Sequence, residues 1–175
     1  MNKQVTQKKV IADVIRDAKS SLLSDGSIPV IWHMVKKGLI YQISKSIVDE
    51  DDTKLALEIA GLALDWINPE YIIQVANAHM KVFKDNVEQP EPAEMLMISK
   101  HIPSEQTTSL LCHVYRNDDG AVTGFSHFFP EQQVTIDSAL FKPFDIKITA
   151  PSKEAIRIVQ GMFGQTSTAM MRLVG

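Results

Sequence analysis

The chain has 175 residues, 45% of them hydrophobic and 22% charged, with a formal net charge of −3 and one cysteine, Cys112. Those values exclude a disulfide-stapled secreted scaffold and a chain too polar to fold. A pI near 5.9 also lacks the strongly basic footprint of a dedicated DNA binder.

Charge is unevenly distributed. Residues 1–48 hold eight Lys or Arg against three Asp, residues 49–94 hold three Lys against eleven Asp or Glu, and the remainder balances. A basic first quarter can attract phosphates, an acidic partner, or the chain's own acidic quarter. The stretch from Met1 to Lys9 has no apolar run resembling a signal peptide. The longest apolar stretch, Leu55 to Ile67, is broken by Glu58 and Asp65 and falls short of the ~20 residues that span a bilayer. With a single thiol, these features predict a cytoplasmic protein that does not enter a membrane.

Val10, Ile11, Val14, Ile15, Ala18 and Leu22 recur at helical spacing and predict a first amphipathic helix. Ser24-Asp25-Gly26-Ser27 ends it with turn chemistry. A second helix is expected from Pro29, carrying Val30, Ile31, Met34, Val35, Ile40, Ile43 and Ile47, with Gly38 as a bend. Asp49 to Asp52 place carboxylates at the positive end of a third helix, which is apolar nearly all round and must be surrounded. Asn68-Pro69-Glu70 reads as the cap and first turn of a fourth helix running to about Asp85.

Residues 1–88 are thus expected to form a helical subdomain and residues 89–94 a Pro/Glu connector. Residues 95–175 form an α+β subdomain, the whole packed as one globular unit. In that second part, Ser109 to Arg116 and Ala121 to Phe128 flank Asn117-Asp118-Asp119-Gly120 as a hairpin. Phe144 to Thr149 alternates as a half-buried strand, with a weaker strand at Val134 to Asp137. Ser152 caps a last helix with Ile156, Val159 and Phe163 on its buried stripe and Gly161 or Gly164 as its stop. The expected fold class is α+β: a helical N-terminal half of about four helices, then a small antiparallel sheet with a C-terminal helix.

A three-residue Asp118-Asp119-Gly120 loop would pair His113 with Phe125. One hairpin face would then hold Leu111, His113, Tyr115, Phe125 and His127, with Phe129 at the strand end. A two-residue turn would instead put the histidines on opposite faces. Two histidines on one face could serve acid–base chemistry or metal ligation, but no carboxylate lies on that face of the hairpin to orient an imidazole. The face reads as an interaction surface, with no catalytic or metal-binding residue and no cofactor assigned. Cys112 falls on the core side, where burial makes a thiol inert. His33 and His79 are expected on helix flanks and His101 in a loop. Thr149 to Lys153 leads into a helix N-terminus but lacks the glycines of a phosphate loop.

These features point to a non-catalytic intracellular protein-interaction or assembly protein, self-associating or bound to a protein partner. Two other readings stay open. One is a small hydrolase or metal-dependent enzyme centred on the histidine-bearing hairpin face. The other is a nucleic-acid-associated protein using the basic region Lys8, Lys9, Arg16, Lys19, Lys36 and Lys37.

Overall fold

The computed structural model describes residues 3–82, 91–130 and 142–163. Among these described residues, three helices enclose one curled antiparallel sheet, in the order α1 (Lys3–Asp25), β1 (Val30–Lys36), β2 (Leu39–Lys45), α2 (Glu50–Ile67), β3 (Tyr71–Val82), β4 (Glu91–His101), β5 (Thr108–Arg116), β6 (Val122–Phe125), β7 (Phe129–Pro130) and α3 (Lys153–Phe163). The sheet runs β2-β1-β3-β4-β5-β6, and the short β7 also pairs with β5. The protein is α+β, but it has no four-helix N-terminal half. Where sequence spacing predicts the second and fourth helices, the chain forms β1, β2 and β3.

The β1–β2 correction has a local cause. Lys37 and Gly38 both have positive φ, 49° and 78°, the geometry of a type I′ two-residue turn. Gly38 therefore reverses the chain where a helical reading makes it a bend. The flanking Val30, Ile31, Val35, Ile40, Tyr41 and Ile43 are β-branched or aromatic, and such side chains pack well on a pleated surface.

At Asn68 the cap is real but faces the other way. Its φ of 48° and its N–H to Leu64 O bond of 2.8 Å end α2 rather than begin a helix, and Pro69 follows as it often does after a C-cap. Tyr71 to Ala76 are all buried, so β3 shows none of the alternation that marks a half-exposed strand. β3 then pairs with β4 from Ile72↔His101 to Val82↔Glu91, across residues 83–90. Glu91 to Glu94 of the expected connector thus belong to a strand. The Phe144–Thr149 strand is replaced by a single 3-10 turn, Pro143–Asp145, and irregular chain. Val134–Asp137 and Gly164 lie outside the described residues.

The other helices form as their residues dictate. Asp49 accepts from Asp52 N at 2.8 Å and caps α2, while Ser152 Oγ accepts from Ala155 N at 3.2 Å and caps α3. α1 lays Val10, Val14, Ala18 and Leu22 on one sheet face, against Ile73, Val75, Leu96, Ile98, Cys112 and Val114. α2 covers Trp32, Met34, Ile43 and Ile72 on the other face, and α3 packs on α2 through Ala155 and Val159. The apolar α2 is therefore enclosed by its own fold. At Gly61 the chain packs close against the helix: an added Cβ would lie 2.5 Å from Ile148 Cγ1 and 3.0 Å from Ile146 Cγ2.

Arg116 ties the far end of the sheet together. Its guanidinium donates to Glu94 Oε2 and Oε1 at 2.5 and 2.6 Å, to Gly26 O at 2.6 Å and to Gly120 O at 2.7 Å. One side chain thereby joins β4, the end of α1 and the β5–β6 loop. The Glu94 side chain is only 8% exposed, and the guanidinium holds its carboxyl below the usual range. Arg116→Ala leaves that carboxylate buried without its fork. The expected cost in urea melts at pH 7 is about 2 kcal/mol, less than for a fully buried pair because Arg116 keeps some solvent contact. A loss under about 0.5 kcal/mol would assign the bridge no structural weight.

Candidate functional site

The type I′ turn fixes which backbone groups of β2 face outward. It makes Lys36↔Leu39 the first hydrogen-bonded pair of the hairpin, so Leu39, Tyr41, Ile43 and Lys45 turn N–H and C=O toward β1. Ile40, Gln42 and Ser44 direct theirs away. Among the described residues, no strand lies on that side of β2.

The side chains there are open as well. Leu39 is 61% and Ile40 50% exposed, Gln42 and Ser44 are exposed, and Val48 just beyond is 87% exposed. Proteins usually blunt such an edge with charge, proline or a bulge. β2 has no proline and no register shift against β1, and its single charge, Lys45, sits at the end and is bonded to Asp52.

The predicted hairpin face is divided. Near the loop the expected register forms: Asn117 N–H bonds Ala121 O at 3.0 Å, Arg116 pairs with Val122, and Gly120 has φ of 82°. A bulge between Tyr115 and Arg116 then shifts the ladder by one, pairing Tyr115 with Gly124 and Val114 with Phe125. His113 consequently meets Ser126, donating its N–H to Ser126 Oγ at 2.9 Å.

Leu111, His113 and Tyr115 share a strand face, but Leu111 is wholly buried while Tyr115 is 51% exposed. The His113 and Tyr115 rings stack at 6.4 Å. Phe125 belongs to the opposite face, packed toward α1, where Lys19 Nζ sits 5.0 Å from its ring. His127 is exposed beyond the end of β6, and Phe129 pairs with Leu111 through β7. Among the described residues no cluster of side chains could hold a metal ion.

The basic residues are spread over two elements. Lys8, Lys9, Arg16 and Lys19 lie on α1, with Arg16 engaged by Asp13 and Asp17. Lys36 donates to Ile67 O at the C-terminal end of α2, and Lys37 occupies the hairpin turn. His33 and His79 lie in strands rather than on helices. Cys112 is fully buried, and burial pushes its thiol up. At the α3 N-terminus Glu58 accepts from Ser152 N at 3.0 Å. A protein carboxylate thus fills the position an anion would take. No known family, curated protein or solved structure matches this chain.

Sequence reasoning missed a buried polar row across β3, β4 and β5. His101, expected in a loop, ends β4 at 2% exposure. Its Nε2 lies 3.0 Å from Gln74 Oε1 and its Nδ1 3.0 Å from Thr107 Oγ1. With the Gln74 oxygen as acceptor, Nε2 carries the proton and Nδ1 accepts from Thr107. One ladder step along, Ser99 and Ser109 bond at 2.8 Å. Burial depresses the imidazole pKa to about 4.

A cleft of about 210 Å³ opens beside His101, lined by Glu105, Thr107, Lys142 and Asp145 among others. Both ring nitrogens are engaged, so His101 links neighbours rather than offering a free base. No sequence motif marks this row, because buried and exposed polar residues look alike until strands are placed.

Proposed function

We propose that the chain is a non-catalytic, cytoplasmic protein-interaction or assembly protein that binds by strand addition at β2. The observation carrying this reading is the row Ile40, Gln42 and Ser44, whose backbone donors and acceptors face outward beside the exposed Leu39 and Ile40. An extended protein segment laid antiparallel there gains main-chain hydrogen bonds for affinity, with alternate side chains setting specificity. The single thiol, buried in the core, suits a reducing compartment.

Gln42→Pro tests the reading. Proline removes one outward N–H, and an edge strand tolerates it because that N–H is not used within the fold. Untagged full-length protein, wild type and variant, is isolated from its own source and weighed by native mass spectrometry. The expected result is an assembly with the wild type that is lost or weakened at least tenfold in Gln42→Pro, while the two melt within a few degrees of each other. Assembly that survives the proline overturns the proposal. So does a wild-type monomer carrying only a small molecule, which would move attention to the His101 cleft.

A further inference from the structure

Resting on the strand-addition reading, we infer that the segment received by β2 is the β2 strand of a second copy of the same chain, related by a two-fold axis through Gln42. The argument is self-complementarity. A two-fold interface places the same patch against itself, so a strand suited to it must read acceptably against its own reverse.

β2 does so in one register. With Gln42 opposite the second copy's Gln42, Ile40 meets Ser44, Tyr41 meets Ile43 and Leu39 meets Lys45. The whole strand from Leu39 to Lys45 is then paired, and each outward-facing residue lies opposite another outward-facing residue, as antiparallel bonding demands. Shifts by one residue fail, since they set outward groups against residues already bonded to β1. A shift by two in either direction shortens the ladder, pairing only residues 39–43 or 41–45 of β2 with their counterparts.

The side chains agree with the central register. Ile40, Gln42 and Ser44 project from the sheet face on which α1 lies, opposite Val35, His33 and Ile31 of β1. The two Gln42 amides would meet there and can exchange hydrogen bonds. On the other face, the exposed Leu39 would lie along the aliphatic stem of Lys45. The ammonium of Lys45 is already bonded to Asp52 and so brings no unpaired charge to the junction. The resulting sheet continues through both copies and leaves neither β2 edge open.

Cysteine cross-linking reads this register directly. Cys112 is buried, so an introduced surface thiol reports alone. Directly opposed hydrogen-bonded residues have Cα atoms about 5.5 Å apart, within disulfide range. Full-length Gln42→Cys is expected to form a covalent dimer on mild oxidation, at least tenfold faster than Ile40→Cys. Two Ile40 residues would be separated by four strand positions, roughly 13 Å at the rise of an extended chain. Sedimentation of the wild type should show a dimer, and Gln42→Pro should be monomeric.

Equal cross-linking of the two cysteine variants, or none within a sedimenting dimer, overturns the two-fold axis. A wild-type monomer at ~100 μM overturns the second copy as occupant. It leaves strand addition standing if a different protein is still lost with Gln42→Pro. A dimer that persists in Gln42→Pro removes both.

Discussion

Acidifying the protein from pH 7 to pH 4 is expected to cost on the order of 3 kcal/mol of folding stability, carried chiefly by His101. The unfolded imidazole titrates near 6.5, and burial holds the folded one at about 4. Below pH 6.5 the unfolded chain therefore binds a proton that the native chain refuses, and stability falls as pH falls. The loss accumulates between those two values at about 1.4 kcal/mol per pH unit and levels off below the lower one. His33, half-buried and lowered by desolvation, contributes in the same direction. Glu94 behaves as a depressed carboxylate, so its contribution is intact above the ordinary Glu pKa and is lost only as the pH falls further. The histidine step thus comes first.

Urea melts of the wild type and His101→Asn at several pH values separate these contributions. The variant is expected to be less stable at pH 7 by about 1–2 kcal/mol, because Gln74 and Thr107 lose a shared partner. Its further loss between pH 6.5 and 4.5 should be at most half that of the wild type. Equal slopes for the two proteins would assign the acid sensitivity elsewhere.

The same residue shows where sequence legibility ended. Helices α1, α2 and α3 were readable because their cores or caps are local: a periodic stripe in α1, Asp49 before α2, Ser152 before α3. The three-residue loop at Gly120 was equally local, requiring only a left-handed glycine. β1, β3 and β4 are decided by neighbours. Ile72, Ile73 and Val75 are buried on both faces of a central strand, so no period separates them from a buried helix. The Tyr115 bulge that divides the predicted histidine face is likewise a property of the paired strands.

The candidate site was hidden for the same reason. Nothing in Leu39-Ile40-Tyr41-Gln42-Ile43 says that it ends a sheet, because strand order is fixed by tertiary contacts. His101, two residues before Pro103, reads as loop until β4 places it opposite Ile72 and beside Gln74.

Trp32→Ala is expected to cost about 4 kcal/mol, enough to exhaust the stability of a marginal domain. Trp32 is wholly buried between Ile43 and Gln74 in the ladder, in the core formed with α2 and α3. Truncation opens a cavity under the helix. Trp32→Phe should cost far less, about 1–2 kcal/mol, for a specific reason: the indole Nε1 is buried and has no hydrogen-bond partner among the described residues. Removing that N–H forfeits no bond and relieves an unsatisfied donor, which offsets part of the lost volume. Urea melts of the three proteins decide the matter, and a Phe variant as unstable as the Ala variant would mean the indole makes a bond after all. The pair also separates scaffold from docking element. Trp32→Phe should lower stability while keeping β2 self-pairing, whereas Gln42→Pro should keep stability while abolishing it. That opposition requires the outward row of β2 to carry association independently of the core beneath it.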